Sequence, residues 1–178
     1  MSNHIFLEDF LYVCKELESH PILLICNEKN LSSLELDLSK NMGGNSQVID
    51  EFIHFTHADT YRRYEMIDFS SGSPVSVSSR ENVVKNKKKK LLFPEKIYCR
   101  VSNTTFSSAR TFAVTLKDNG IATIIGEPTG GKPSSYGMPK KNETPNFKIR
   151  FRVSRALFLR PNTKLKEEDA LFPDGNEL

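Results

Sequence analysis

The stretch Asn103–Lys132, NTTFSSARTFAVTLKDNGIATIIGEPTGGK, decides how the chain is read. Just before it, Ile97, Cys99 and Val101 alternate with Tyr98 and Arg100, which predicts a strand over 97–101. Within it, Ala109, Phe112, Ala113 and Leu116 recur at helical spacing, so a helix is predicted from about Ser107 to Lys117. Asp118-Asn119-Gly120 stops that helix, with Gly120 suited to a left-handed terminus. Ile121 to Ile125 reads as the next strand. Strand, helix and strand in repeated order imply an α/β domain with a partly parallel sheet flanked by helices.

The same stretch carries candidate chemistry. Ser107 stands where strand gives way to helix, among backbone N–H groups that lack intrahelical acceptors. Lys132 follows 25 residues later in a glycine-rich turn beyond the next strand. A serine hydroxyl is a poor nucleophile unless a base lies within hydrogen-bond reach. A lysine serves as that base only when burial keeps its amine neutral. The reading therefore makes Ser107 a nucleophile and Lys132 its general base, with Ser108 as the fallback nucleophile. Thr129 would orient the amine. The Ser108 N–H and the Gly43-Gly44 turn would supply the oxyanion donors, the helix dipole favouring negative charge there. Taken singly, Ser107 also reads as a helix cap, Lys132 as an exposed loop lysine and Gly43-Gly44 as a plain turn.

Working outward, Phe6, Phe10, Val13 and Leu17 predict an amphipathic helix over 4–18 that Pro21 ends, and Ile22–Cys26 reads as a short strand. Leu34, Leu36 and Leu38 alternate with Glu35 and Asp37, predicting a strand that runs into the turn Asn41-Met42-Gly43-Gly44-Asn45. A helix follows, with Val48, Ile49, Phe52 and Ile53 on one face. Residues 57–95, with SSGSPVSVSS and a lysine run at 85–90, read as an exposed polar excursion, interrupted by a strand near Tyr64–Phe69. Gly126–Pro145 reads as a loop. Phe147, Ile149, Phe151 and Val153 alternate with basic residues and predict a half-buried strand. Residues 160–178 read as an extended arm. The whole of 1–178 is taken as one domain.

Composition narrows the function classes. The 178 residues are 38% apolar and 26% charged, ordinary for a soluble globular domain. A net charge of +3 is too small to argue for a nucleic-acid partner. The 3 cysteines sit among apolar residues with no C-x-x-C spacing, and His54 and His57 lack a third ligand nearby, so neither a metal nor another cofactor is expected. The acidic N-terminal segment does not read as a signal peptide, and PILLIC is too short to cross a bilayer.

These motifs resemble those of the C-terminal processing, or tail-specific, peptidases, which are serine–lysine endopeptidases. LELDLSKNMGGNSQVIDEFI is similar to the family's strand, glycine turn and helix. TFSSARTFAVTLKDNGIATIIGEPTGGK is similar to its nucleophile helix, following strand and lysine loop, and RFRVSRALFLRPNTKLKEEDALFPD to the segment after the active site. The likeness covers roughly residues 31 to 175. It implies a crotonase-like or ClpP-like core without the family's N-terminal part. It places Ser107 on the nucleophile, Lys132 on the base and Asp118 on an acidic position between them. It further places Ser108 and a glycine of 43–44 at the oxyanion hole. A protein or peptide substrate is implied, and family members often act outside the cytoplasm. Met42 replaces the first glycine of the turn, Ser39-Lys40 replace Arg-Asn, and Tyr136 stands where several members carry a glutamine.

Two other readings use the same residues. One is a non-catalytic binding protein built on this core. The other is a phosphate-binding loop, because Gly126–Lys132 fits G-x-x-x-x-G-K after a strand. Against the latter, Pro133 takes the place of the magnesium-binding hydroxyl, and SSYGMPKKNETPN does not readily continue as a helix.

Overall fold

A computed structural model describes residues 4–5, 32–79, 83–89 and 92–174. In chain order the elements are β1 (His4–Ile5), β2 (Ser33–Asp37), α1 (Gln47–His54), β3 (Thr60–Arg62), β4 (Glu65–Asp68), β5 (Val75–Ser78) and β6 (Val83–Lys85). They continue with β7 (Lys96–Val101), α2 (Ser108–Asp118), β8 (Thr123–Gly126), β9 (Ser135–Glu143) and β10 (Arg150–Leu159).

Strands β1-β2-β7-β8 form a sheet whose neighbouring pairs are all parallel. Helical crossovers make that possible, because parallel neighbours need a connection that returns to the same edge. The path from β2 to β7 carries α1, and α2 joins β7 to β8. Leu34, Leu36, Ile97, Cys99, Val101 and Ile124 point from the sheet into the core. There they meet Val48, Ile49, Phe52 and Ile53 of α1 and Phe112, Ala113 and Leu116 of α2. Both helices therefore bury the faces their periodicity predicts. Phe52 is the hinge of the aromatic packing, 5.1 Å from Phe93 and edge-on to Phe112 at 5.2 Å. Truncating a fully buried phenylalanine of this kind costs about 3–5 kcal/mol. Glu35 is buried in β2 beside its neighbour Arg100, which pairs with its carboxylate.

A second sheet, β5-β4-β10-β9, is antiparallel. It corrects two expectations. Part of the predicted loop 126–145 is β9, since Ser135–Glu143 pairs with β10 from Phe158 back to Arg150. Prolines and lysines hide this strand, which lies at the edge of its sheet and pairs only with β10. The alternation at 147–153 does not mark a half-buried face either: Phe147, Ile149, Phe151 and Val153 are all exposed. The reason is topological. Strand β4 covers β10 only along Ala156–Leu159, so the far half of the β9–β10 hairpin projects as a two-stranded ribbon.

Residues 57–95 are more engaged than their composition suggests. They supply β3–β6 and bury Tyr61, Tyr64, Asn86 and Phe93. The tail also folds back. Leu171 is buried, Thr129 N–H donates to its carbonyl at 3.1 Å, and Asp174 exchanges bonds with Ile124. In the predicted helix 4–18, His4–Ile5 is instead a strand, and residues 6–18 lie outside the described residues, as do Ile22–Cys26.

Candidate active site

The site lies at the carboxyl ends of β2 and β7, the edge of a parallel sheet where open α/β folds place ligands. Two loops meet there. Thr105 Oγ1 donates to the Leu38 carbonyl at 2.8 Å, Ser102 Oγ donates to that of Ser39, and Phe106 N–H donates to that of Asn41 at 3.0 Å. These bonds hold residues 38–44 against the start of α2.

Ser107 turns the chain from loop to helix with φ 51° and ψ −127°. A non-glycine residue at positive φ is strained, and such strain persists only where the surroundings enforce it. The Ser107 hydroxyl makes no capping bond to α2, which removes the simplest structural role for this serine. Its side chain is exposed and lines a cleft of about 630 Å³. Ser108 is engaged differently: its hydroxyl donates to the Gly44 carbonyl at 2.8 Å.

Gly43 is what admits the elbow. Its φ is +98°, and a Cβ there would come within 2.7 Å of Ser107 Cβ and 2.8 Å of Ser108 N. Its own N–H donates to Asn41 Oδ1 at 2.8 Å. Of the two glycines expected at the oxyanion hole, Gly44 therefore retains an amide without this engagement. The Ser108 N–H belongs to the first turn of α2 and has no intrahelical acceptor.

Lys132 stands apart from this arrangement. It does not line the cleft that holds Ser107. It is 59% exposed, and its ammonium pairs with Asp169 at 2.8 Å. That hydrogen bond and the carboxylate's charge hold the amine above the usual lysine range, so it is protonated. The buried, neutral lysine expected from the sequence is absent from this conformation. A physical reason is visible one residue earlier. Arg110 Nη1 lies where a Cβ on Gly131 would sit, 2.2 Å from that position. The inner side of the lysine loop is thus occupied by a guanidinium, and a second cation is repelled from it.

Thr129 does not orient the lysine. Its hydroxyl donates to the Gly131 carbonyl at 2.9 Å and accepts the Leu171 N–H at 3.0 Å, fastening the tail. Asp118 ends α2, about 16 Å along the helix axis from Ser107. It is fully buried and holds Arg160 through bonds of 2.6 and 3.0 Å. Its part in this conformation is structural. The loop after β8 leads into β9, with no helix to cradle a phosphate, so the phosphate-loop reading is not supported.

Sequence reasoning missed Arg110, Tyr64 and Asn41. Arg110 is three residues beyond Ser107, on the same helix face, and that spacing was the available signal. Tyr64 is buried and donates to the Pro133 carbonyl at 2.7 Å, which ties β4 to the lysine loop.

A model of peptidase family S41 matches residues 15–174. The chain belongs to peptidase family S41. No curated protein matches it by sequence. Among solved structures it is similar to a photosystem II D1 C-terminal processing protease, with 17% identity and a TM-score of 0.56 over 88% of this chain. A lipoprotein from Streptococcus agalactiae gives 19% identity and a TM-score of 0.56 over 98%. Mature CPAF gives 14% identity and a TM-score of 0.61 over 94%. At these identities the likeness concerns the fold. This S41 chain spans 37%, 59% and 42% of those three structures, respectively. Its α/β architecture, with a parallel sheet and the serine elbow at its carboxyl edge, is that of a partial S41 core.

Proposed function

We propose that the chain is the catalytic core of a serine-type endopeptidase, with Ser107 as nucleophile and Lys132 as general base. The observation that carries this reading is the strained elbow. Ser107 sits at positive φ, with its hydroxyl uncommitted to the helix and exposed in the cleft. A capping serine has no need of that geometry, whereas a nucleophile gains access and orientation from it.

In the proposed cycle, Lys132 leaves Asp169, gives its ammonium proton to solvent, and as the neutral amine in the cleft takes the Ser107 proton. Ser107 Oγ attacks a peptide carbonyl. The N–H groups of Ser108 and Gly44 receive the oxyanion, each worth about 2.7–4 kcal/mol in sites of this kind. Lys132 then returns the proton to the leaving amine, and water hydrolyses the acyl-enzyme. The Lys132–Asp169 pair is the state this cycle must leave, so the conformation described here is a resting one.

The exposed, paired lysine favours a second reading, a binding protein on the same core that does not turn over its ligand. Incubation with an unfolded, carboxymethylated protein separates the two. The peptidase reading expects fragments from the parent chain and from Ser108→Ala, and none from Ser107→Ala or Lys132→Ala. Fragmentation that survives Ser107→Ala eliminates the nucleophile assignment. An intact substrate with the folded parent chain favours the binding reading.

A further inference from the structure

Three charged side chains line the cleft beside Ser107: Asp50, Arg63 and Arg110. The first two satisfy each other, since Arg63 donates to both Asp50 carboxylate oxygens at 3.0 and 2.9 Å. Arg110 has no such partner among the described residues. It is only 6% exposed, its guanidinium lies 5.6 Å from the Phe106 ring centroid, and Tyr64 and the backbone of Gly131 lie near it. Tyr64 is not an acceptor for it in ionised form, because burial holds its phenol well above the usual range. Desolvation pulls the Arg110 guanidinium below its ordinary value. Buried charges are ordinarily paired, and planar guanidinium groups match carboxylates through two parallel hydrogen bonds.

We propose that Arg110 is a specificity residue that takes a carboxylate of the bound peptide. Arg110 is one helical turn from Ser107. The anion would therefore lie within a residue or two of the carbonyl that Ser107 faces. Two groups of a peptide offer this chemistry, an acidic side chain and the free chain end. The inference rests on the cleft being a peptide site, but it does not require turnover.

The test is calorimetric binding of N-acetylated pentapeptides to the full chain carrying Ser107→Ala. One series places Glu or isosteric Gln at each position of an amidated alanine peptide. The other compares all-alanine peptides with a free or an amidated C-terminus. The acid should bind about tenfold tighter than its amide in at least one series, as for a charge-assisted bond. The series that responds identifies the source of the carboxylate. Arg110→Met should erase the preference, and Arg110→Lys should restore part of it. Replacing an unpaired buried cation by an apolar side chain favours folding, which a melting curve verifies. Equal binding of acids and amides in both series, or a preference that survives Arg110→Met, overturns the proposal. A retained acid preference, together with a folded parent chain that leaves the unfolded protein intact, would sink the hydrolytic reading and leave this one standing.

Discussion

Ser107 holds its backbone at φ 51° because Gly43 gives it room, and that dependence is testable at one atom. Gly43→Ala forces a Cβ into Ser107 and onto a backbone of φ +98°. It should destabilise the fold by about 1–3 kcal/mol and lower activity about a hundredfold through misplacement of the nucleophile. Gly44→Ala meets nothing within 4 Å and should leave the melting temperature nearly unchanged. Thermal melts of the two variants compare them directly. Asp169 governs the other half of the dyad. Its carboxylate raises the Lys132 pKa, and its own pKa is lowered in return. Asp169→Asn removes the anion, so the amine's pKa falls and more of it is neutral at a given pH. The acylation rate of Ser107 near pH 8 should rise, by up to about tenfold for each unit the amine falls. An unchanged rate would mean that release of Lys132 from Asp169 does not limit formation of the dyad.

Among the elements, α1 and β7 were legible because their buried positions recur at the element's own period, and β2 and α2 because their apolar residues keep that period although Glu35 and Arg110 are buried beside them. The lesson of β9 and β10 is the reverse. Val153 and Phe151 alternate with arginines as if half-buried, yet both are exposed on a two-stranded ribbon that β4 does not flank. Period two reports the pleat; it does not report whether anything covers the face. Strand β3 was missed because Tyr61 alone of its three residues is buried. Its hydroxyl donates to Asp50 of α1 at 2.6 Å. Burial, with this bond second, pushes the phenol up to about 12. A raised folded-state pKa contributes stability that is present below pH 10, the unfolded value, and lost as pH rises toward 12. Urea titrations across that window should show a fall of roughly 2–3 kcal/mol in the parent chain that Tyr61→Phe lacks. Equal slopes in the two proteins would deny Tyr61 this role.

For the molecule as a whole, the tail closes the fold from outside. Arg160 and Asp118 join the end of β10 to the end of α2 through a buried two-bond pair. Asp118→Ala would remove both carboxylate bonds of the buried Arg160 guanidinium and leave it the Lys166 carbonyl and the half-exposed Glu168, and chemical denaturation should show a loss of up to about 3–5 kcal/mol. This long-range part was the least legible. Asp118 and Arg160 are 42 residues apart and Lys132 and Asp169 are 37 apart, with no local pattern joining either pair. The same gap explains the mixed outcome at the site. The serine elbow could be read because it is a local junction of strand and helix. The placement of the lysine could not, because Arg110 beneath Gly131 and Asp169 in the tail decide it. Mass mapping after treatment of the folded full chain with a fluorophosphonate reads the nucleophilicity of Ser107 itself. The adduct should appear on Ser107, and Lys132→Ala should abolish it. A folded protein that takes no adduct, or takes it on Ser108 with Ser107 unmodified, would contradict the account.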